Sequence, residues 1–280
     1  MIMTYEKRDA DIINYNCYQF NGWRIRGPEV DTAKSYIVCT GAAHTFGVFC
    51  DKPFPALLAD RLGIQVLNLG RGGAEPSDYL GKNFLEAINN SRLAVIQLLS
   101  GRCGSNSRYT TVRTQLGIRH DDYEVVPPVV FWRYAEEKYR KKLINKLLDE
   151  TRRDYIYKML SLIQSVKVPK ILFYFSTSKP EKLPNRIHES PFPQLLRRWM
   201  IEEMAGFCDE YVECISNKGL PMKLFDKNGN PAALKRPEWE SHLPPIIQNN
   251  YYPSPQMHED AAKALEPICR KILQRDTHIG

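Results

Sequence analysis

The residues best suited to chemistry lie where short apolar runs give way to small or basic residues. YIVCT (36–40) runs into GAAHTFG (41–47), and the helix-like PFPALLADRLG follows. Such a strand-to-helix junction presents backbone N–H groups, and glycine lets a ligand approach the chain closely. Gly41, Ala42, Ala43 and Thr45 are therefore candidate ligand contacts. Alanine at 42 and 43 offers no reacting side chain, so the junction suits holding an anion better than attacking a carbon. Small residues that simply pack a tight turn would give the same pattern. A second segment, NLGRGGA, brings Asn68, Gly70, Arg71 and Gly73; a third, SGRCGSNSR, brings Arg102, Ser105, Asn106 and Arg108, with Arg113 beyond. Guanidinium groups in loops after strands suit a carboxylate, phosphate or sulfate. Ser105 and Asn106 suit a polar ligand or, equally, turn chemistry.

Two side chains near these segments can move protons or attack. His44 is a candidate general base, or a hydrogen-bonded structural histidine. Cys103 is a weaker candidate nucleophile, since only Arg102 beside it would lower its pKa.

The elements that must position these groups follow from periodicity. Strands are expected at 36–40, 65–70, 93–100, 169–177 and 210–216, the third largely apolar as in a strand buried on both faces. Helices are expected at 53–62, from about 77 to 90, over roughly 133–166, in LLRRWMIEEMAGF and in QMHEDAAKALEPICRKILQ. Residues 101–132 form a long excursion and DKNGNP a turn. Strands and helices alternate, which predicts an α/β fold: a doubly wound, mostly parallel sheet in a three-layer α/β/α single domain over 31–280, after an irregular extension at 1–30. In such sheets ligands bind outside the C-terminal ends of the strands.

Composition sets the class. Of 280 residues, 43% are hydrophobic and 25% charged, the profile of a soluble globule. No apolar run approaches the roughly 18 residues of a membrane span, and MIMTYEKRDADIINYN lacks a signal core. Seven dispersed cysteines without a CxxC pair suggest reduced thiols, hence a cytoplasmic location and no metal site. The net charge of +7 favours anionic partners, but no nucleic-acid motif is present. In 133–153 the basic residues alternate with acids, as on a solvated helix face.

In this order the segments resemble the SGNH (GDSL-like) hydrolase superfamily over roughly residues 36–272. That family opens with Gly-Asp-Ser-x-Thr/Ser-x-Gly, and this chain reads Gly41-Ala42-Ala43-His44-Thr45-Phe46-Gly47. Asn68-Leu69-Gly70-Arg71-Gly72-Gly73 matches its Asn-x-Gly-x-x-Gly, which implies an oxyanion-hole role for Gly73 or its neighbours. Its Gly-x-Asn-Asp block falls on Gly101-Arg102-Cys103 or on Gly104-Ser105-Asn106-Ser107. Its final Asp-x-x-His-Pro falls best on Asn249-Asn250-Tyr251-Tyr252-Pro253; a second register ends at His258, with Pro255 in place of the aspartate. The combination also resembles an uncharacterised bacterial domain family of similar length.

The resemblance implies a degenerate member. Alanine, tyrosine and asparagine stand where the family keeps its nucleophile, base and acid, and a triad works as a unit. Two expectations follow. The first is an SGNH-like protein binding an anionic or sugar-like ligand, with surface-polysaccharide metabolism as a setting. The second is a sulfuryl or acyl transferase using His258, in the first turn of the last helix, or His44 as base. Tyr252 would donate to a bound oxyanion and Asn249 would join the ligand contacts. A protein-interaction module is the third. No cofactor, membrane partner or oligomeric state is specified.

Overall fold

The apolar runs alternate between two faces, and this alternation decides which helix covers which side. In the computed structural model, which describes residues 4–189, 191–235 and 244–276, five strands form the central sheet: β1 (Tyr36–Thr40), β2 (Gln65–Asn68), β3 (Ala94–Gln97), β4 (Lys170–Ser176) and β5 (Glu210–Ile215). All pair in parallel, in the order β2-β1-β3-β4-β5. Helices α1 (Phe54–Leu62), α2 (Lys82–Asn89), α3 (Lys141–Ser165), α4 (Arg198–Ala205) and α5 (Pro255–Asp276) sandwich it.

Successive strand residues point to opposite faces. Ile37, Cys39, Val95 and Phe173 pack with Phe54 and Leu58 of α1 and with Leu265 of α5. Tyr36, Val38, Ala94 and Ile96 pack with residues of α2, α3 and α4 on the other face. The chain leaves β1 toward one face and leaves β3 toward the other. The order reverses between these two neighbours, whose register sets Thr40 against Ile96. Such a switch point opens a crevice at the strand C-termini.

Three expected elements differ. The helix over 133–166 is two helices, Pro128–Lys138 and α3, separated by extended backbone at Tyr139 and Arg140. Asp121 pins the break: it accepts from the hydroxyls of Tyr134 and Tyr139 at 2.9 and 2.5 Å and pairs with Lys138 at 3.0 Å. The 101–132 excursion holds a three-stranded antiparallel sheet, Tyr109–Arg113, Leu116–Arg119 and Val125–Val126. Residues 4–30 include an antiparallel hairpin, Tyr18–Phe20 with Trp23–Ile25. Ile13 and Tyr15 from this segment pack with Phe46 and Phe49 beyond β1. No described helix is long and apolar enough to cross a membrane.

Candidate functional site

The turn after β1 is built from inside. A Cβ on Gly41 would lie 2.0 Å from Thr45 Oγ1 and 2.4 Å from Gln97 Oε1, so only glycine fits. Gln97, fully buried at the end of β3, accepts through Oε1 from the Ala42 N–H at 3.1 Å and from the Thr45 hydroxyl at 2.6 Å. The Tyr79 hydroxyl accepts from the Gly41 N–H at 3.1 Å and donates to the Gly41 carbonyl at 2.6 Å. Two N–H groups expected to cradle an anion are thus taken by protein side chains, and the helix that follows, Ala43–Phe46, is a single turn. Thr45 is a structural anchor and not a ligand contact.

The second loop is tied to the first. Asn68 Nδ2 donates to the Thr45 carbonyl at 3.0 Å, and its Oδ1 accepts from the Gly70 N–H at 2.9 Å. A Cβ at Gly70 would lie 2.2 Å from the Phe46 nitrogen. Asn68 and Gly70 therefore join two backbones, and neither lines the cavity above the ends of β1 and β3. Arg71 is also committed: its guanidinium pairs with Asp78 at 2.6 Å and lies 4.4 Å from the Trp23 ring centre.

Above the ends of β1 and β3 is a cavity of about 250 Å³. The loop after β1 supplies Ala42, Ala43 and His44; the loop after β2 supplies Gly73 and Ala74; the loop after β3 supplies Ser100 and Arg102. Phe192 and Gln194 come from the loop after β4, and Tyr251 and Tyr252 from the loop before α5. Thr114 and Gln115, between two strands of the small sheet, and Tyr5 complete the lining. Among the described residues, none that line it is acidic.

Arg102 is the guanidinium of this cavity. Its Nε and backbone N–H each donate to Ser100 Oγ at 3.2 Å, and Ser100 donates to Gln194 Oε1. Among the described residues no carboxylate pairs with Arg102. Ser100 Oγ spends its proton and both lone pairs on these contacts, so it is no free nucleophile. His44 stacks on Phe192 with ring centres 4.1 Å apart, and its Nδ1 is buried without a partner. Burial, helped by His258 and Arg102, pushes the His44 pKa down to about 3. The ring is neutral near pH 7 and a weak base.

Asn249 acts one step back. Its Oδ1 accepts from the N–H groups of Tyr251 and Tyr252 at 3.0 and 2.8 Å, and its Nδ2 donates to the Tyr252 carbonyl at 2.8 Å. It shapes the turn that delivers both tyrosines to the cavity. The Tyr252 hydroxyl lies 3.4 Å from that of Tyr5.

The remaining candidates are elsewhere. His258 is fully buried and does not line the cavity; its Nδ1 accepts from the Phe54 N–H at 3.1 Å, and burial holds its pKa near 3. It caps the entry to α1, so the expectation of a base there is corrected. Ser105 binds Asp154 and Thr111, and Asn106 binds Thr151, which docks this loop onto α3. Cys103 is fully buried, and desolvation pushes its thiol up to about 12. Of the expected residues the cavity gathers Ala42, Ala43, His44, Gly73, Arg102 and Tyr252. Sequence reasoning missed Tyr5, Ala74, Ser100, Thr114, Gln115, Phe192, Gln194 and Tyr251. Ser100, as the last residue of an apolar run, carried a usable signal; Tyr5 and Gln115 reach the site only through long-range packing.

Residues 3–115 match the family model described as a domain of unknown function (DUF6473). No curated protein matches the chain. Solved structures similar to it include a protein provisionally described as an SGNH hydrolase from Slackia heliotrinireducens, with 14% identity, TM-score 0.41, and coverage of 83% of this chain and 97% of that one. A carbohydrate esterase family 2 enzyme plus carbohydrate binding domain from Corynascus thermopiles (Myceliophthora fergusii) gives 11%, 0.46, 91% and 70%. An extracellular lipase from Streptomyces rimosus gives 12%, 0.39, 85% and 100%.

Proposed function

We propose that this chain binds an anionic or sugar-like ligand in the cavity at the ends of β1 and β3, without serine-esterase chemistry. The observation that supports this is Arg102: a guanidinium with no carboxylate partner among the described residues, lining a cavity whose described lining is free of acids. A cation left unpaired beside a cavity favours an anion there. Ala43 supplies no hydroxyl at the turn, and Ser100 is saturated by its own contacts.

The group-transfer reading needs a base at this cavity. His44 is the imidazole present, but the burial that holds it near 3 takes it far from the range in which general bases work at neutral pH. Binding is accordingly the stronger reading. The cytoplasmic setting belongs to the same proposal and rests on the dispersed thiols.

Thermal unfolding against phosphorylated, sulfated and carboxylated small molecules tests the reading. A ligand at 100 times its Kd adds about 2.7 kcal/mol of stability. The expected result is a raised midpoint that Arg102→Ala abolishes while leaving the unliganded midpoint near wild type. No shift across the panel would remove the proposal.

A further inference from the structure

Resting on that reading, we propose that the ligand is a single carboxylated sugar unit of the hexuronate class, its carboxylate on Arg102 and its ring among the cavity's tyrosines. Charge, donor geometry and size support this choice separately.

Charge comes first. Arg102 is the only cation lining the cavity that carries charge at neutral pH among the described residues, since His44 is neutral there. One positive charge balances a monoanion. A phosphomonoester carries close to two negative charges near pH 7, and the second would enter a partly desolvated site with no compensation.

Donor geometry comes second. Arg102 Nε is engaged by Ser100 Oγ, and among the described residues no protein group accepts from its Nη atoms. The two Nη groups form a planar pair that matches the two oxygens of a carboxylate. Ser100 and Gln194 hold the guanidinium plane in place.

Size and wall chemistry come third. About 250 Å³ falls below the roughly 300–1,000 Å³ of sites for drug-sized ligands. It suits one ring and not a nucleotide. Tyr5, Tyr251 and Tyr252 present rings with hydroxyl tips, and Gln115 and Thr114 add uncharged polar groups. Aromatic faces with neutral hydrogen-bonding groups suit a hydroxylated ring better than an acyl chain.

The experiment is calorimetric titration of the full chain with D-glucuronate and D-galacturonate, beside D-glucose, acetate, glucose 6-phosphate and N-acetylglucosamine 6-sulfate. The expected result is binding of at least one uronate, with glucose and acetate each at least tenfold weaker. Arg102→Gln should weaken the uronate by about tenfold to a hundredfold, the loss expected of a charged hydrogen-bonded pair. Arg102→Lys should fall between, having the charge but not the fork, and both variants must unfold near the wild-type midpoint without ligand. Glucose binding as tightly as glucuronate would overturn the inference. Binding of the phosphate or sulfate but of neither uronate would overturn it while leaving the anion-binding reading standing. No binding by any anion would overturn both.

Discussion

The Thr45 hydroxyl donates to Gln97 Oε1 at 2.6 Å, bridging the turn after β1 to the end of β3. The same oxygen accepts from the Ala42 N–H. One buried amide thus fixes the junction at the switch point of the sheet. Gln97→Leu would leave the buried Ala42 N–H without its acceptor, at about 1–3 kcal/mol, and the Thr45 hydroxyl with only the Thr40 carbonyl at 3.5 Å. We expect a loss of about 1–3 kcal/mol in urea unfolding, with unchanged dependence on denaturant. A loss below about 0.5 kcal/mol would mean that packing alone holds the turn.

Asn249 supplies three hydrogen bonds to the backbone of Tyr251 and Tyr252. Asn249→Ala should cost about 1–3 kcal/mol and weaken ligand binding more than it weakens the fold, since it releases two walls of the cavity. Parallel unfolding and titration measurements separate the two effects. Unchanged affinity would show that these tyrosines do not contact the ligand.

Ala43→Ser restores a hydroxyl at the first turn without restoring a base. His258 Nδ1 is occupied by the Phe54 N–H, and His44 is held near 3 by burial. Hydrolysis of p-nitrophenyl acetate should stay at the uncatalysed background. Clear turnover, lost again in the double variant with His44→Gln, would identify His44 as a working base.

The two buried histidines set an acid limit. Both have folded pKa values near 3, below the ordinary value of 6.5. Between those values the unfolded chain binds more protons than the folded one, so stability rises with pH across that window. The stability they leave intact is complete above about pH 6.5 and is lost on acidification toward 3. At pH 5 to 4 each contributes a slope of about 1.4 kcal/mol per pH unit. His258→Asn, which keeps an acceptor for Phe54, should flatten the profile; an identical slope in this variant would contradict the assignment.

Residues 36–40, 94–97 and 170–176 show how much of the fold was legible. Each strand is an apolar run bounded by turn residues, and the alternation of strands with helices is a local signal. From it the parallel sheet, its helical layers and a crevice at the strand ends follow, and the cavity lies there. The break at Tyr139 was not legible, because the group that pins it, Asp121, lies in a loop whose path depends on tertiary packing.

The sequence by itself determined which segments follow the strands, that no hydroxyl stands at position 43, and that arginines follow the strands. These are properties of type and order along the chain. Which arginine is available was decided only in three dimensions. Arg71 and Arg102 follow neighbouring segments of similar composition, yet Asp78 neutralises one while the other meets a serine hydroxyl. The same holds for the histidines: His44 borders the cavity, and His258 gives its nitrogen to the entry of α1. Ion pairing and burial are properties of neighbours across the fold. Periodicity places a residue on a face, but only packing decides what that residue meets there.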